Sequence, residues 1–229
     1  PGSGLDYCIY VLGGAYNYEV SNNTVDSIFS TTSSSDMAGI VCSYTSPGLT
    51  DIHDNTVGNL YKLTSTGGSL MGISTLINNT DSMAVYNNTV FNLYHHAGSG
   101  STIGYYTSSQ AATGFGNIYN NVVHDIHATS VYLCMGIYTS SAPGTCRKSF
   151  YGNRIYNITN DSTGTSMCIN AQFSDIGGSV YSNRVYGISS MKNSVGAAVY
   201  GMQIYGISTD SRFDIYNNMV SELYAPLSN

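Results

Sequence analysis

Ile118-Tyr-Asn-Asn-Val-Val-His-Asp-Ile-His127 is a ten-residue phrase that returns along the whole chain. It comes back as Val85-Tyr-Asn-Asn-Thr-Val-Phe-Asn-Leu-Tyr94, as Ile215-Tyr-Asn-Asn-Met-Val-Ser-Glu-Leu-Tyr224, and in looser form four more times. With the second Asn as marker, the copies fall at Asn23, Asn55, Asn88, Asn121, Asn153, Asn183 and Asn218. The steps between them are 32, 33, 33, 32, 30 and 35 residues. A fixed period of this length is the signature of a repeat architecture.

Three places before the marker stand Val20, Ile52, Val85, Ile118, Phe150, Val180 and Ile215, all apolar. Two places after it stand Val25, Val57, Val90, Val123, Ile155, Val185 and Val220, and five after it Ile28, Leu60, Leu93, Ile126, Ile158, Ile188 and Leu223. Short apolar, β-branched stretches broken by Asn, Asp, Gly and Ser are strand and turn chemistry. No window keeps the i, i+3, i+4, i+7 spacing of a helix. A second block follows each phrase: Tyr7-Cys-Ile, Ala38-Gly-Ile, Met71-Gly-Ile, Ile103-Gly-Tyr, Met135-Gly-Ile, Met167-Cys-Ile and Ala197-Ala-Val. Its middle column, Cys8, Gly39, Gly72, Gly104, Gly136, Cys168 and Ala198, keeps the same period. Each repeat therefore holds three short strands, with its Asn at the corner between the first two.

Strands stacked one turn per repeat make a solenoid that adds one strand to each of three parallel sheets. At ~4.8 Å per strand, seven turns span roughly 30 to 35 Å. On these residues the chain resembles the right-handed parallel β-helix, the pectate-lyase-like superfold, over almost its whole length. The resemblance implies an all-β solenoid of seven rungs and a ladder at one inner corner, in which the amides of Asn23, Asn55, Asn88, Asn121, Asn153, Asn183 and Asn218 bond from rung to rung. Asn also tolerates the left-handed backbone expected at such a corner. The Ile/Val-Tyr-Asn-Asn-x-Val phrase is similar to the β-helix repeat modules of large bacterial surface and secreted proteins, including cargo of the type IX secretion system.

Unbroken periodicity from Cys8 to Tyr224 argues for a single domain over residues 1–229. Charged residues make up 9%, against about 25% in an ordinary soluble domain. Ser, Thr, Asn, Gly and Tyr form the surface instead, which points to an extracellular or cell-surface setting. A net charge of −6 with scattered basic residues argues against nucleic acid as a partner. No apolar run approaches membrane-spanning length, so no membrane insertion is expected. The chain lacks an initiator Met and begins Pro1-Gly-Ser-Gly, which reads as a processed or appended end of a longer chain. A β-helix exposes unpaired sheet edges at its terminal rungs. No amphipathic capping segment stands at either end, so the expectation is cover from a longer parent chain or from another copy.

Five cysteines form no obvious framework. Cys8 and Cys168 share a column but lie five rungs apart, and Cys134 and Cys168 are on neighbouring rungs two residues out of register, about 8 Å apart by strand geometry. Cys134 with Cys146, closing the Ala142-Pro-Gly-Thr loop, is the pair that remains open; the alternative is small, weakly polar fillers throughout. No CxxC suggests zinc. Glycosylation sequons at Asn22, Asn78, Asn87, Asn157 and Asn160 are what so Asn-, Ser- and Thr-rich a composition produces by itself.

The β-helix resemblance implies a polysaccharide lyase or glycoside hydrolase as one function class. Hydrolysis needs two carboxylates across a cleft, whereas Asp26, Asp54, Asp125 and Glu222 are expected on different rungs and columns. Asp54 stands beside Asp51 but replaces a turn Asn. Asn79-Thr-Asp81 matches one polygalacturonase motif, but the Asp-Asp, Gly-His-Gly and Arg-Ile-Lys motifs are absent, as is the acidic calcium cluster that a pectate lyase requires. No catalytic residues and no cofactor are assigned. His95, His96 and His127 are weak candidates for a divalent metal, with Asp125 nearby, and otherwise solvated loop residues. Arg154 and Arg184 follow the marker on adjacent rungs, with Arg147 and Lys148 upstream, and read as a solvated face or a contact for an acidic sugar.

Tyr86, Tyr119, Tyr151, Tyr181 and Tyr216 stand two before the marker, with His53 in the same place, and should point outward. Tyr10, Tyr106, Tyr138 and Tyr200 are expected to repeat the arrangement beside the small-residue column. Such a ladder stacks across strands, and its outer surface suits sugar rings or another protein. The Gly, Cys and Ala stripe beside it would let a partner approach. The expectation is an extracellular structural or adhesive solenoid that self-associates by end-to-end or lateral packing into a filament or surface layer. The alternative is a carbohydrate-binding or polysaccharide-degrading β-helix domain.

Overall fold

The corner phrase folds as its letters demand. In the computed structural model, which describes residues 6–13, 17–31, 34–44, 48–63, 67–78, 82–96, 99–110, 115–129, 132–141, 147–174, 177–191 and 198–225, every repeat lays down three strands. Around Asn121 they are Phe115–Tyr119, Val122–Ala128 and Leu133–Ser141. Each pairs in parallel with its equivalents one rung before and one rung after. Three parallel sheets result: the first leads into the Asn corner, the second leaves it, and the third carries the small-residue column. The first and third have seven strands, and the second has seven rungs of which the last is split into Met219–Val220 and Leu223–Tyr224. No helix occurs among the described residues.

The three apolar columns are in register and point inward. Ile118 lies between Val85 and Phe150, Val123 between Val90 and Ile155, and Ile126 between Leu93 and Ile158. Together with Met37, Ile40, Cys42 and their third-sheet counterparts they form one continuous core. β-Branched side chains are stiff and fit a pleated surface, so identical letters stack with little entropy left to lose.

At the corner the marker amides form a ladder of six steps. Each Asn Nδ2 donates to the Oδ1 of the next Asn at 2.9–3.0 Å. That same Oδ1 accepts the preceding Asn's backbone N–H at 3.0–3.1 Å. The second amide proton closes onto a carbonyl of the previous rung, as from Asn121 to Val85 O at 2.9 Å. The left-handed residue is not the marker, as expected from sequence, but its predecessor: Asn22, Asp54, Asn87, Asn120, Gly152, Ser182 and Asn217 have φ of 54–65°. The marker's side chain is thereby freed to face the core while its neighbour makes the turn.

A second left-handed column lies four residues after the marker: Ser27, Asn59, Asn92, Asp125, Asn157, Gly187 and Glu222, with φ of 50–66°. It bends the second-sheet strand, and it places Asp125 and Glu222 in one column three rungs apart, where the sequence had suggested separate columns.

Two corrections concern the third sheet. Its last rung aligns Met167 with Tyr200 and Ile169 with Met202, so Gly201, not Ala198, continues the small-residue column. The Ala197-Ala-Val match was accidental, and the true block is Tyr200-Gly-Met. The column also faces the core rather than a partner. A Cβ added at Gly72 would stand 2.3 Å from Val90 Cγ1, and one at Gly104 2.4 Å from Val123 Cγ1. The residues are small because the β-branched column of the second sheet presses against them.

Candidate functional site

With the interior so uniform, chemistry is left to the outer faces. On the first sheet His53, Tyr86, Tyr119, Tyr151, Tyr181 and Tyr216 form an unbroken stack, with centroids 4.7–4.9 Å apart and planes within 4–6° of parallel. The spacing is that of the strands themselves. Each interior ring has both faces covered by its neighbours, so the stack offers ring edges and phenol hydroxyls to the outside. Burial pushes the phenols of Tyr86, Tyr119 and Tyr151 above their ordinary range. At the foot, His53 Nδ1 lies 2.7 Å from Asp54 and Nε2 3.2 Å from Glu19. The bond to Asp54 and then that to Glu19 raise the His53 pKa against the opposing effect of burial.

The third sheet does not carry the second Tyr ladder in full. Tyr106 and Tyr138 stack at 5.4 Å, but Tyr10 is followed by Val41 and Ser74, and Tyr200 belongs to the neighbouring column of Met71, Ile103, Met135 and Met167. That column forms a hydrophobic cluster separate from the core, with Tyr7, Tyr106 and Tyr138 against it. A shallow recess of about 240 Å³ runs over Met71 and Ile103.

The second sheet carries two outer rows. In one, Phe91, His124, Tyr156 and Tyr186 stack at 5.6, 4.8 and 5.0 Å. Arg154 lies 4.7 Å from the Tyr156 centroid and donates to the Tyr186 hydroxyl, and Arg184 lies over Tyr186 at 5.2 Å. The two guanidiniums are thus pinned on rings. Lys148 does not join them: it is buried and donates to the carbonyls of Ser140 and Gln172.

In the other row Phe and Tyr stop at Tyr94 and return only at Tyr224 on the last described rung. Phe29, Tyr61 and Tyr94 give way to His127, Thr159 and Ser189 in the same column. The change leaves a hollow of about 350 Å³ lined by Tyr61, Asn92, Tyr94, Asp125, His127 and Asp161, among others. His127 Nε2 is 2.7 Å from Asp161 Oδ2, and Tyr94 meets the His127 ring edge-on at 5.2 Å. The left-handed column runs along one side as an outer amide ladder, Asn59 donating to Asp26, Asn92 to Asn59 and Asn157 to Asp125. At Asp125 the ladder breaks, because a carboxylate has no donor to offer Asn92. Burial raises the Asp125 pKa, but hydrogen bonds from Asn157 and His124 outweigh it and hold the carboxyl below its ordinary value.

The histidines named as metal candidates do not converge. His95 is fully buried and pairs across the ladder with Ala128, whereas His127 pairs with Tyr94 and points outward. His96 is exposed, with Nδ1 3.2 Å from Thr129 Oγ1. No group of three or more His, Cys, Asp or Glu gathers in metal-binding geometry among the described residues. Cys42, Cys134 and Cys168 are buried free thiols and Cys8 an exposed one. Cys146, and with it the Cys134 pairing, lies outside the described residues, as does Asn79-Thr-Asp81. The sequence singled out His127 and Asp125 but not the hollow they line; the signal available was the loss of Phe and Tyr after Tyr94, where His127, Thr159 and Ser189 follow, beside an Asp in an Asn column.

Compared with protein-family models, curated proteins and solved structures, the chain matches none.

Proposed function

We propose that the protein is an extracellular structural or adhesive solenoid segment that works by surface contact, rung stacked on rung, rather than by turnover. One observation carries this. On the last described rung Ile215, Val220 and Leu223 are 51%, 42% and 46% exposed, while Val180, Val185 and Ile188, one rung earlier in the same columns, are fully buried. Tyr216, Met219 and Tyr224 are exposed beside them. An apolar end face of this kind is a template for a further rung of the same repeat, whether the continuation of this chain or another copy supplies it. The pectate-lyase-like and bacterial-surface affinities fit this use.

Sedimentation velocity over a range of concentrations tests it. Growth into end-to-end rods, suppressed by Val220→Lys with Leu223→Lys, is the expected result. A chain that stays monomeric at high concentration, with the double variant indistinguishable, overturns self-stacking.

The hollow on the second sheet favours a second reading, carbohydrate binding. Concave polar sites with aromatic walls are what sugar recognition uses, and this one lies on a lateral face that end-to-end stacking leaves open.

A further inference from the structure

The hollow departs from the repeat in chemistry as well as shape. Its lining includes two carboxylates, Asp125 and Asp161, and no Lys or Arg. Among the described residues no group donates to Asn92 Oδ1, and one oxygen of Asp161 accepts no bond. Acceptors are therefore in surplus here, whereas on the rungs before it Asp26 and Asn59 each receive an amide from the next rung. The walls on the other side are the rings of Tyr61 and Tyr94, 6.4 Å apart and inclined at 45°. A negative, aromatic-walled concavity attracts a cation with some apolar body, since a ring face and a carboxylate both favour positive charge. The cation suited is an organic one, because the donor set assembles no metal polyhedron.

We propose that this hollow binds a primary ammonium carried on a sugar, that is, an amino sugar whose nitrogen is not acylated. The proposal rests on the carbohydrate reading above and sharpens it. The ammonium pairs with the Asp125 carboxylate on the side of the hollow that the tyrosines wall, and Asp161 adds to the negative field. Asn157, Thr159 and His127 supply partners for the hydroxyls around it. The volume of about 350 Å³ lies at the small end of ligand sites, room for one or two sugar units.

Isothermal titration at neutral pH and low salt tests the proposal, with a glucosamine tetramer, an N-acetylglucosamine tetramer, a glucose tetramer and choline as probes. The glucosamine tetramer is expected to bind at least about tenfold more tightly than the acetylated or glucose tetramers, and Asp125→Asn to weaken it by about tenfold. That variant keeps the fold, because Asn stands in the same left-handed column at positions 59, 92 and 157, and an unchanged melting temperature verifies it. Equal binding of the free and acetylated tetramers, indifferent to Asp125→Asn, overturns the ammonium while leaving sugar binding in place. Choline bound without any tetramer overturns the sugar and keeps the ammonium. Silence from all four overturns both.

Discussion

Asn121 shows how much one side chain can hold. Its Nδ2 donates to Asn153 Oδ1 and Val85 O, and its Oδ1 accepts from both the backbone and the side chain of Asn88. Asn121→Ala removes all four and strands buried groups on two neighbouring rungs, at a cost of about 1–3 kcal/mol. Asn23 donates to Asn55 and to Ser21 O, while no described residue donates to its Oδ1, so Asn23→Ala should cost about half as much. Equal losses in a thermal melt would refute the ladder as a source of stability. His95 makes a second case. It is fully buried, with Nδ1 3.0 Å from Thr102 Oγ1 and Nε2 unpartnered. Burial, helped by Lys62 and His96, lowers its pKa to about 4. The folded value lies below the unfolded one of about 6.5, so the unfolded chain takes the proton first and stability falls as pH drops from about 6.5 to about 4, by up to about 3 kcal/mol. His95→Ala, which copies Ala128 on the next rung, should start less stable but lose less between pH 7 and pH 4.5. Parallel melting curves for the two proteins would exclude this role.

At the scale of the strand, legibility followed direction. Inward columns repeat because each must fit the same slot on every rung, so Val123, Ile126 and Asn121 could be placed from their letters alone. The left-handed column from Ser27 to Glu222 was as regular in space, but its letters vary among Ser, Asn, Asp, Gly and Glu, because a backbone conformation tolerates several side chains where a core slot tolerates few. The small-residue column was found, and its role was misjudged: Gly104 reads as an opening for a partner until Val123 is seen pressed against it. The last rung of the third sheet misled because Ala197-Ala-Val copies the small, apolar character of the block three residues too early. Outer faces were half legible. The first-sheet Tyr stack was plain, while the hollow arises from an interruption, His127 and Thr159 where Tyr61 and Tyr94 set the rule, and an interruption has no period to find.

For the molecule as a whole, a solenoid has only nearest-neighbour contacts, so stability should be graded along the axis rather than uniform. The rung of Asn121 has ladder bonds, core columns and ring stacking on both sides. The rung of Asn218 has them on one side, and its core columns are open. Local opening therefore costs least at the last rung, where backbone amides of Met219–Tyr224 should exchange with solvent deuterium far faster than those of Val122–Ala128. If rungs stack between molecules, raising the protein concentration covers the open face and slows exchange in Met219–Tyr224 while leaving Val122–Ala128 unchanged. Val220→Lys with Leu223→Lys should abolish that concentration dependence without altering the central amides. Uniform protection from first rung to last would contradict the nearest-neighbour account, since a single cooperative unit opens everywhere at the same free energy.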